Sequence, residues 1–406
     1  SDIVAINSYT NNFIFLSEGE VGILKEDKVE VYKDFIKQEK KVKTINVSND
    51  SHDKNEFAHY MLKEINDEPV LLENMLQPFL EDINLLLDIS SYDAIHIVGC
   101  GSALYAGMVF KYLLEEIAGC NVLIEVASEY RYRRINYDQK TLVVLISQSG
   151  ETADTIAAMR FAKKNNADTL AIVNVENSTI AKESDKVLFI KAGVEVAVAT
   201  TKAYILQTAL LSLIALKLCY DKGIIKDIEK YLAEYKTIPK LIKETIDKEE
   251  NYKKIAKEIY NSKDAFFIGR KIDYAYSLEG SLKLKEVSYI NASAYQAGEL
   301  KHGTISLIED DILVVGVLTQ SELYEKTICN MLECKSRGAY LMGLTTFGRY
   351  DIEDTVDFTV YIPKTDPLFA TSLAVIPLQL LGYYISVAKG LDVDKPRNLA
   401  KSVTVE

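Results

Sequence analysis

Residues 141–155, TLVVLISQSGETADT, decide how this chain is read. Leu142 to Ile146 is an unbroken apolar run with β-branched Val143, Val144 and Ile146, the pattern of a strand buried on both faces. The run breaks into Ser147-Gln148-Ser149-Gly150, and a helix-like segment follows. Such a turn directs unpaired backbone N–H groups, and the positive end of a helix dipole, at one spot beyond the strand's carboxyl end. Hydroxyls of Ser147, Ser149 and Thr152 and the Gln148 amide add donors there. Those donors suit a phosphate monoester and need no lysine. The plainer alternative makes Ser149 an ordinary helix cap.

Outward from this stretch, IHIVG, VLIEVA, TLVVLIS, LAIVNV and KVLFI are short apolar runs separated by helical patterns. The rhythm returns in AFFIG, ILVVGVLT, YLMGLT and FTVYI. The expected class is α/β, with parallel sheets covered by helices on both faces. The two sets are expected to superimpose without a gap, because Ser147-Gln148-Ser149 falls on Thr319-Gln320-Ser321 at an offset of 319 − 147 = 172. Lys163 and Ala167 fall on Lys335 and Ala339 at the same offset. An internal duplication accounts for this economically. Gly150 then corresponds to Glu322, whose carboxylate would repel a phosphate, so only the first half should keep the anion site. Lysine- and glutamate-rich helical sequence from Asp221 to Asp264 joins the halves. Ahead of them, FIFL, VGIL and VEVY between turn signals read as a small antiparallel meander, and VSNDSHDKNE from Val47 to Glu56 reads as a linker.

A chain of 406 residues is long enough for two or three domains. The net charge of −12 argues against a nucleic-acid partner, since phosphate backbones reward basic faces. Any anion site is therefore local. Five cysteines show no CxxC spacing and read as reduced thiols of a cytoplasmic protein. With histidine only at 52, 59, 96 and 302, no histidine-rich metal site is expected. The apolar stretch Ala203–Cys219 is interrupted by Gln207, Ser212 and Lys217 and reads as a buried helix, so no membrane partner is expected.

Three further motifs carry candidate chemistry. VGCGSALYAG, Val98–Gly107, follows a strand and opens a helix, but its glycine spacing is not that of a dinucleotide turn. Gly101 and Ser102 make better sense as a second donor loop facing the Ser147 loop. LEGSLKLKEVSY, Leu278–Tyr289, puts Glu279, Lys283 and Glu286 on one helical face, either as a solvated stripe or as a charged site. GELKHG, Gly298–Gly303, sets His302 between glycines, which suits proton transfer to a mobile substrate. The terminal DVDKPRNLAKSVTVE mixes apolar residues with Lys401 in a way that implies docking. A desolvated Lys401 could act as a Schiff-base nucleophile, and the alternative is a lysine on a surface tail.

Together SQSGETADT, EGSLKLKE, AGELKHG and DKPRNLAKSVTVE resemble the glutamine–fructose-6-phosphate aminotransferases, in order and over the whole two-repeat region. The resemblance implies two tandem flavodoxin-like sugar-isomerase (SIS) domains at residues 71–236 and 237–390. It also implies a remnant of a glutaminase domain at 1–46, a linker at 47–70 and a catalytic tail at 391–406. Ser102, Ser147, Gln148, Ser149 and Thr152 would bind the sugar phosphate, with Val198 and Ala400 completing the substrate-binding set. Lys401 would form the Schiff base with C2 of open-chain fructose-6-phosphate, and Glu286 would carry a proton between C1 and C2. His302 would assist ring opening from a neighbouring subunit of a homodimer, and Lys283 and Glu279 would support these charges. No cofactor and no metal are implied. The family's first loop reads CGTS, whereas Cys100-Gly101-Ser102-Ala103 stands here, so about 0.5–1.5 kcal/mol of phosphate grip is expected to be lost with one hydroxyl. No cysteine precedes Cys100 and Ser1 falls well inside the family's pattern, so glutamine hydrolysis is not expected of this chain. The rival from another class is a non-catalytic sugar-phosphate sensor on the same domains, which would lack the Lys401–Glu286–His302 set.

Overall fold

The computed structural model describes residues 9–16, 19–26, 28–44, 54–135, 137, 139–310 and 312–405. The chain separates into two compact units, residues 1–53 and 54–406. In the first, β1 (Asn12–Phe13) pairs antiparallel with β5 (Lys43–Thr44), and β2 (Glu20–Leu24), β3 (Val29–Lys33) and β4 (Ile36–Gln38) form a three-stranded meander. Of the expected FIFL strand, only Phe13 is in a ladder.

The second unit opens with α1 (Tyr60–Glu81). This corrects the expected linker at 47–70: residues 47–53 lie outside the described residues, and 60–70 form the first half of a helix whose Met61, Ile65 and Leu72 are fully buried. Five parallel strands follow: β6 (Ala94–Gly99), β7 (Val122–Val126), β8 (Thr141–Ser147), β9 (Asp168–Val173) and β10 (Lys186–Phe189). Their order is β10-β9-β8-β6-β7, and the helices between them are α2 (Ser102–Ala118), α3 (Ala127–Tyr130), α4 (Ala153–Lys164) and α5 (Thr179–Glu183). After α6 (Lys202–Asp221) come α7 (Ile228–Tyr235), α8 (Ile238–Ile246) and α9 (Glu249–Ile259), which occupy the stretch read as the join. The second sheet is built from β11 (Asp264–Gly269), β12 (Asn291–Gln296), β13 (Leu313–Leu318), β14 (Tyr340–Thr346) and β15 (Phe358–Ile362). Its order, β12-β11-β13-β14-β15, is the same topology. Helices α10 (Ile272–Ser288), α11 (Tyr324–Lys335), α12 (Pro367–Leu373) and α13 (Ile376–Ala388) complete the unit.

Each central strand is buried on both faces, as an unbroken apolar run requires. Leu142, Val144 and Ile146 of β8 join the large core shared with α1, α2, α6, α10 and α13, whereas Val143 and Leu145 face a separate core under α4. In the second sheet Val315 and Val317 face the shared core and Val314 and Leu318 the outer one. Two stretches, Lys202–Asp221 and Pro367–Ala388, are long and apolar enough to cross a membrane, and both are buried inside this shared core.

The halves do not superimpose without a gap. Strand register makes Gly99 equivalent to Gly269, 269 − 99 = 170 apart, and Leu142 equivalent to Leu313, 313 − 142 = 171 apart. One extra residue therefore enters between β12 and β13, in the segment that carries His302. A second enters between β13 and β14, since Asp168 pairs with Leu142 as Tyr340 pairs with Leu313, and 340 − 168 = 172. Strand β12, NASAYQ, is not among the apolar runs because it is an edge strand bonded only to β11 and needs little apolar surface.

Gly150 shows how local the constraints are. Its φ is +65°, and a Cβ there would come within 2.1 Å of Ser178 Oγ, which caps α5 through the Ala181 N–H. Gly193 has a similar φ, +66°, with open space around it. Gly150→Ala is expected to cost about 2–4 kcal/mol, from left-handed strain plus a lost cap, and Gly193→Ala only about 1–2 kcal/mol. Equal losses in urea denaturation would show that the Ser178 contact does not matter.

Candidate functional site

In an open parallel sheet, ligands bind beyond the carboxyl ends of the strands where the winding reverses, here between β6 and β8. The loop after β8 is ordered from within. Ser147 Oγ accepts from the Gly150 N–H at 3.0 Å and lies 3.2 Å from Thr152 Oγ1. Ser149 Oγ accepts from the Glu151 N–H at 3.1 Å, and the Gln148 carbonyl accepts from Asn174 N. Gln148, Ser149 and Thr152 remain half-buried. The loop thus brings the four expected phosphate donors together at the N-terminus of α4.

The C-terminal segment crosses this mouth. Asp394 Oδ1 and Oδ2 accept the N–H groups of Met61 and Tyr60 at 2.9 and 3.0 Å, so the tail caps α1, and the Asp394 carbonyl accepts from Val198 N. Arg397 N–H donates to Tyr289 Oη at 2.8 Å, and its guanidinium lies 4.3 Å from that ring's centre. Ser402 Oγ donates to Ser149 Oγ at 3.1 Å, and the Val403 carbonyl accepts from Ala153 N, the first residue of α4. Between these anchors Lys401 Nζ is 2.5 Å from Glu195 Oε2 and donates to the Ala197 carbonyl at 2.9 Å. Ala400 is exposed beside it and Val198 half-buried. Lys401 is thus not a free surface lysine.

A second charged cluster sits on α10. Lys283 Nζ is 2.6 Å from Glu286 Oε2 and 3.5 Å from Glu279 Oε1, with Lys283 and Glu279 almost completely buried. The stripe is therefore not a solvated one. Ser102 is redirected: its buried hydroxyl donates to Glu279 at 3.0 Å and accepts from Lys283 at 3.2 Å, so it ties α2 to α10. The expectation that it faces the Ser147 loop is thus corrected. Two buried charges left one hydroxyl short would be costly, and the helix start supplies it. Burial pushes the Glu279 carboxyl up to about 7 against the pull of Lys283. Burial also works against the Lys283 ammonium, but Glu279 and Glu286 outweigh it and hold the lysine above its ordinary range. The charge of Glu195 acts on Lys283 as well, so the two clusters share one electrostatic environment.

The SIS domain family matches twice, at residues 88–217 and 258–389. A glutamine–fructose-6-phosphate aminotransferase (isomerizing) of Caldanaerobacter subterraneus is 44% identical over all of this chain, which spans 69% of that relative. That of Thermotoga maritima is 40% identical with the same coverage. The chain belongs to the glutamine–fructose-6-phosphate aminotransferase family. Among solved structures, the C-terminal domain of the Francisella tularensis aminotransferase is 36% identical with a TM-score of 0.79, covering 85% of this chain and 99% of that one. A glucosamine-6-phosphate deaminase of Thermotoga maritima is 25% identical, with a TM-score of 0.69 and the same coverage.

In this aminotransferase-family chain the second switch point, between β11 and β13, is closed by its own carboxylate. Asp273, on the first turn of α10, accepts from Thr319 N at 3.0 Å, Thr319 Oγ1 at 2.5 Å and Gln320 N at 3.3 Å. Burial pushes its carboxyl up to about 7 against those bonds. Glu322, expected to silence this half by repulsion, is instead exposed and paired with Lys271 at 3.4 Å. The donors are taken, not repelled. His302 stands apart from both clusters: it is exposed in a 3-10 turn, and no hydrogen bond or ion pair joins its ring to them. Of the other histidines, His96 is buried against Tyr130 Oη, and burial pushes it down to about 4, while His59 lies 2.9 Å from Tyr383 Oη. Among the described residues no group of His, Cys, Asp and Glu is arranged to hold a metal.

Sequence reasoning missed Glu195, Ala197, Thr200, Ser402 and Glu64, which accepts the Val196 and Ala197 N–H groups. The available signal was a lone carboxylate in the small apolar run GVEVAVATT. Asp273→Ala should lower stability by about 1–3 kcal/mol by leaving the Thr319 and Gln320 N–H groups without their acceptor. A urea titration with an unchanged midpoint would show that water serves those groups equally well.

Proposed function

We propose that this chain is the isomerase part of a glutamine–fructose-6-phosphate aminotransferase and converts fructose-6-phosphate from ketose to aldose. In the whole enzyme, glutamine-derived ammonia would complete the product as glucosamine-6-phosphate. The observation that carries this reading is that Lys401 and the hydroxyl-rich start of α4 meet at one crevice, linked by Ser402 on Ser149. A sugar phosphate entering there exchanges Ser402 and the Val403 carbonyl for its own oxygens, held by Ser147, Gln148, Ser149 and Thr152 and the helix N-terminus. Lys401 then reaches C2 of the open chain. The imine acidifies the C1 proton, and a carboxylate is a sufficient base to move it; Glu286, half-buried on α10, takes that part. Lys283 holds Glu286 in place and balances its charge, and Glu279 fixes Lys283 from its other side. Val198 and Ala400 line the sugar, and Ser102 acts through the α10 cluster. No cofactor enters this scheme.

His302 fits ring opening in a neighbouring copy, since its own chain leaves it exposed, and the proposed assembly is a homodimer in the cytoplasm. The proposed organisation is a glutaminase remnant at 1–46, SIS domains at 71–236 and 237–390, and a catalytic tail at 391–406, the halves arising by internal duplication. A non-catalytic sensor is the rival, and the pairing of Lys401 with a buried carboxylate counts against it.

Mixed with fructose-6-phosphate and no nitrogen donor, the purified chain should form glucose-6-phosphate. Lys401→Ala should reduce this to background, and Glu286→Gln should slow it by about 10²-fold or more. Binding without turnover would favour the sensor, and full activity of Lys401→Ala would remove the imine.

A further inference from the structure

Glu195 lies between β10 and α6, and its side chain is 0% exposed. A carboxylate taken fully out of water must be paired and hydrogen-bonded. One oxygen accepts from the N–H groups of Thr201 at 2.9 Å and Ala203 at 3.1 Å, at the N-terminus of α6. The other lies 2.5 Å from Lys401 Nζ and accepts from Thr200 Oγ1 at 3.3 Å. Lys401 Nζ also reaches the Ala197 carbonyl at 2.9 Å and Thr200 Oγ1 at 3.3 Å. Three donors of an ammonium thus meet three acceptors. A nitrogen held in this way has no lone pair to offer a carbonyl, so it must give up a proton before it can attack.

Of the surrounding carboxyls, one lies in direct contact with that ammonium and can receive the proton. Glu64 of α1 is engaged by the Val196 and Ala197 N–H groups, and burial together with the Glu195 charge pushes it up to about 8. Glu68 of α1, fully buried, is pushed up by burial and by Glu195. Lys202 donates to the Val194 carbonyl at 2.6 Å, and Lys283 of α10 is neutralised by Glu279 and Glu286. For Glu195, burial works to raise the carboxyl, but the Lys401 ammonium and the Thr201 and Ala203 N–H groups outweigh it and hold it below the ordinary range. Of these carboxyls, Glu195 is the one ionised against Lys401.

Resting on the reading of Lys401 as the imine-forming residue, we propose that Glu195 is its positioning residue and proton partner. Glu195 holds the tail's ammonium at the crevice. As the sugar arrives, one ammonium proton passes to the Glu195 carboxylate and the freed nitrogen pair bonds to C2, while the carbonyl π pair moves to oxygen. A second nitrogen proton passes to that oxygen, the Glu195 proton returns to the nitrogen and is relayed to the same oxygen, the C–O bond breaks, and water leaves. The iminium that remains keeps one proton and the positive charge, and Glu195, again a carboxylate, is its counterion. Glu195 touches no sugar atom and acts through Lys401.

The test compares wild type, Glu195→Gln, Glu195→Asp and Lys401→Ala in the same chain. It reads kcat and KM for glucose-6-phosphate formation and the pH profile of cyanoborohydride trapping of fructose-6-phosphate on Lys401 by mass. It also reads the affinity for sorbitol-6-phosphate, which has the phosphate but no carbonyl. Glu195→Gln is expected to lower kcat by about 10²-fold while sorbitol-6-phosphate affinity stays within about threefold, a small change in binding free energy. Half-maximal trapping should move to lower pH, because losing an adjacent negative charge favours the neutral amine. Glu195→Asp, which keeps the charge, should recover part of kcat with a smaller shift of the same sign, and it carries the test alone if Glu195→Gln does not fold. An unchanged trapping profile, or a loss of affinity matching the loss of kcat without recovery by Asp, would overturn the proposal. Undiminished turnover in Lys401→Ala would instead sink the imine reading on which it rests.

Discussion

Backbone N–H groups left unpaired at the end of a parallel strand need an acceptor, and much of this structure answers that need. Each half has the same strand order and so the same switch point, with a loop after β8 or β13 that aims N–H groups into the crevice. The second half satisfies them internally and permanently with Asp273. The first half satisfies them with the Ser147 and Ser149 hydroxyls and with the Val403 carbonyl from the tail. A carboxylate fixed on a helix cannot leave, whereas a tail can. One topology therefore yields a sealed half and an open one.

The same economy governs the charges. Lys283 and Lys401 are both withdrawn from water, and each is met by carboxylates brought from sequence-distant elements or from the next helical turn. In a low-dielectric setting, a lone charge of either sign would be far more costly than the pair. This couples α2, α10, the loop before α6 and the tail into one polar frame inside an otherwise apolar unit. Ser102 illustrates the coupling, because a hydroxyl at the start of one helix completes the shell of an ion pair on another. Placement of reactive groups and cohesion of the two halves are then the same set of bonds.

Local sequence was enough wherever a physical requirement was met within a few residues. The runs of β6, β8, β9 and β13 declare themselves because a strand buried on both faces must be apolar throughout, and SQSGET declares a donor-rich helix start because its hydroxyls act on neighbouring backbone. The four motif strings were likewise legible as a family resemblance. Reading failed where the decisive partner was remote: β12 is polar because it is an edge, and residues 60–70 looked like a linker because their burial comes from helices far along the chain.

What the chain determined by itself was the α/β class, the doubled rhythm, the Ser147 loop and the candidate groups Glu279, Lys283, Glu286, His302 and Lys401. Tertiary structure alone decided that Ser102 serves α10, that Asp273 fills the second crevice, and that Lys401 meets Glu195. The reason is physical. Periodicity and caps are set by neighbours within one or two turns, whereas the state of a buried charge is set by whichever groups the fold brings within about 4 Å of it. Glu195 and Lys401 are 206 positions apart, and nothing in either local sequence names the other.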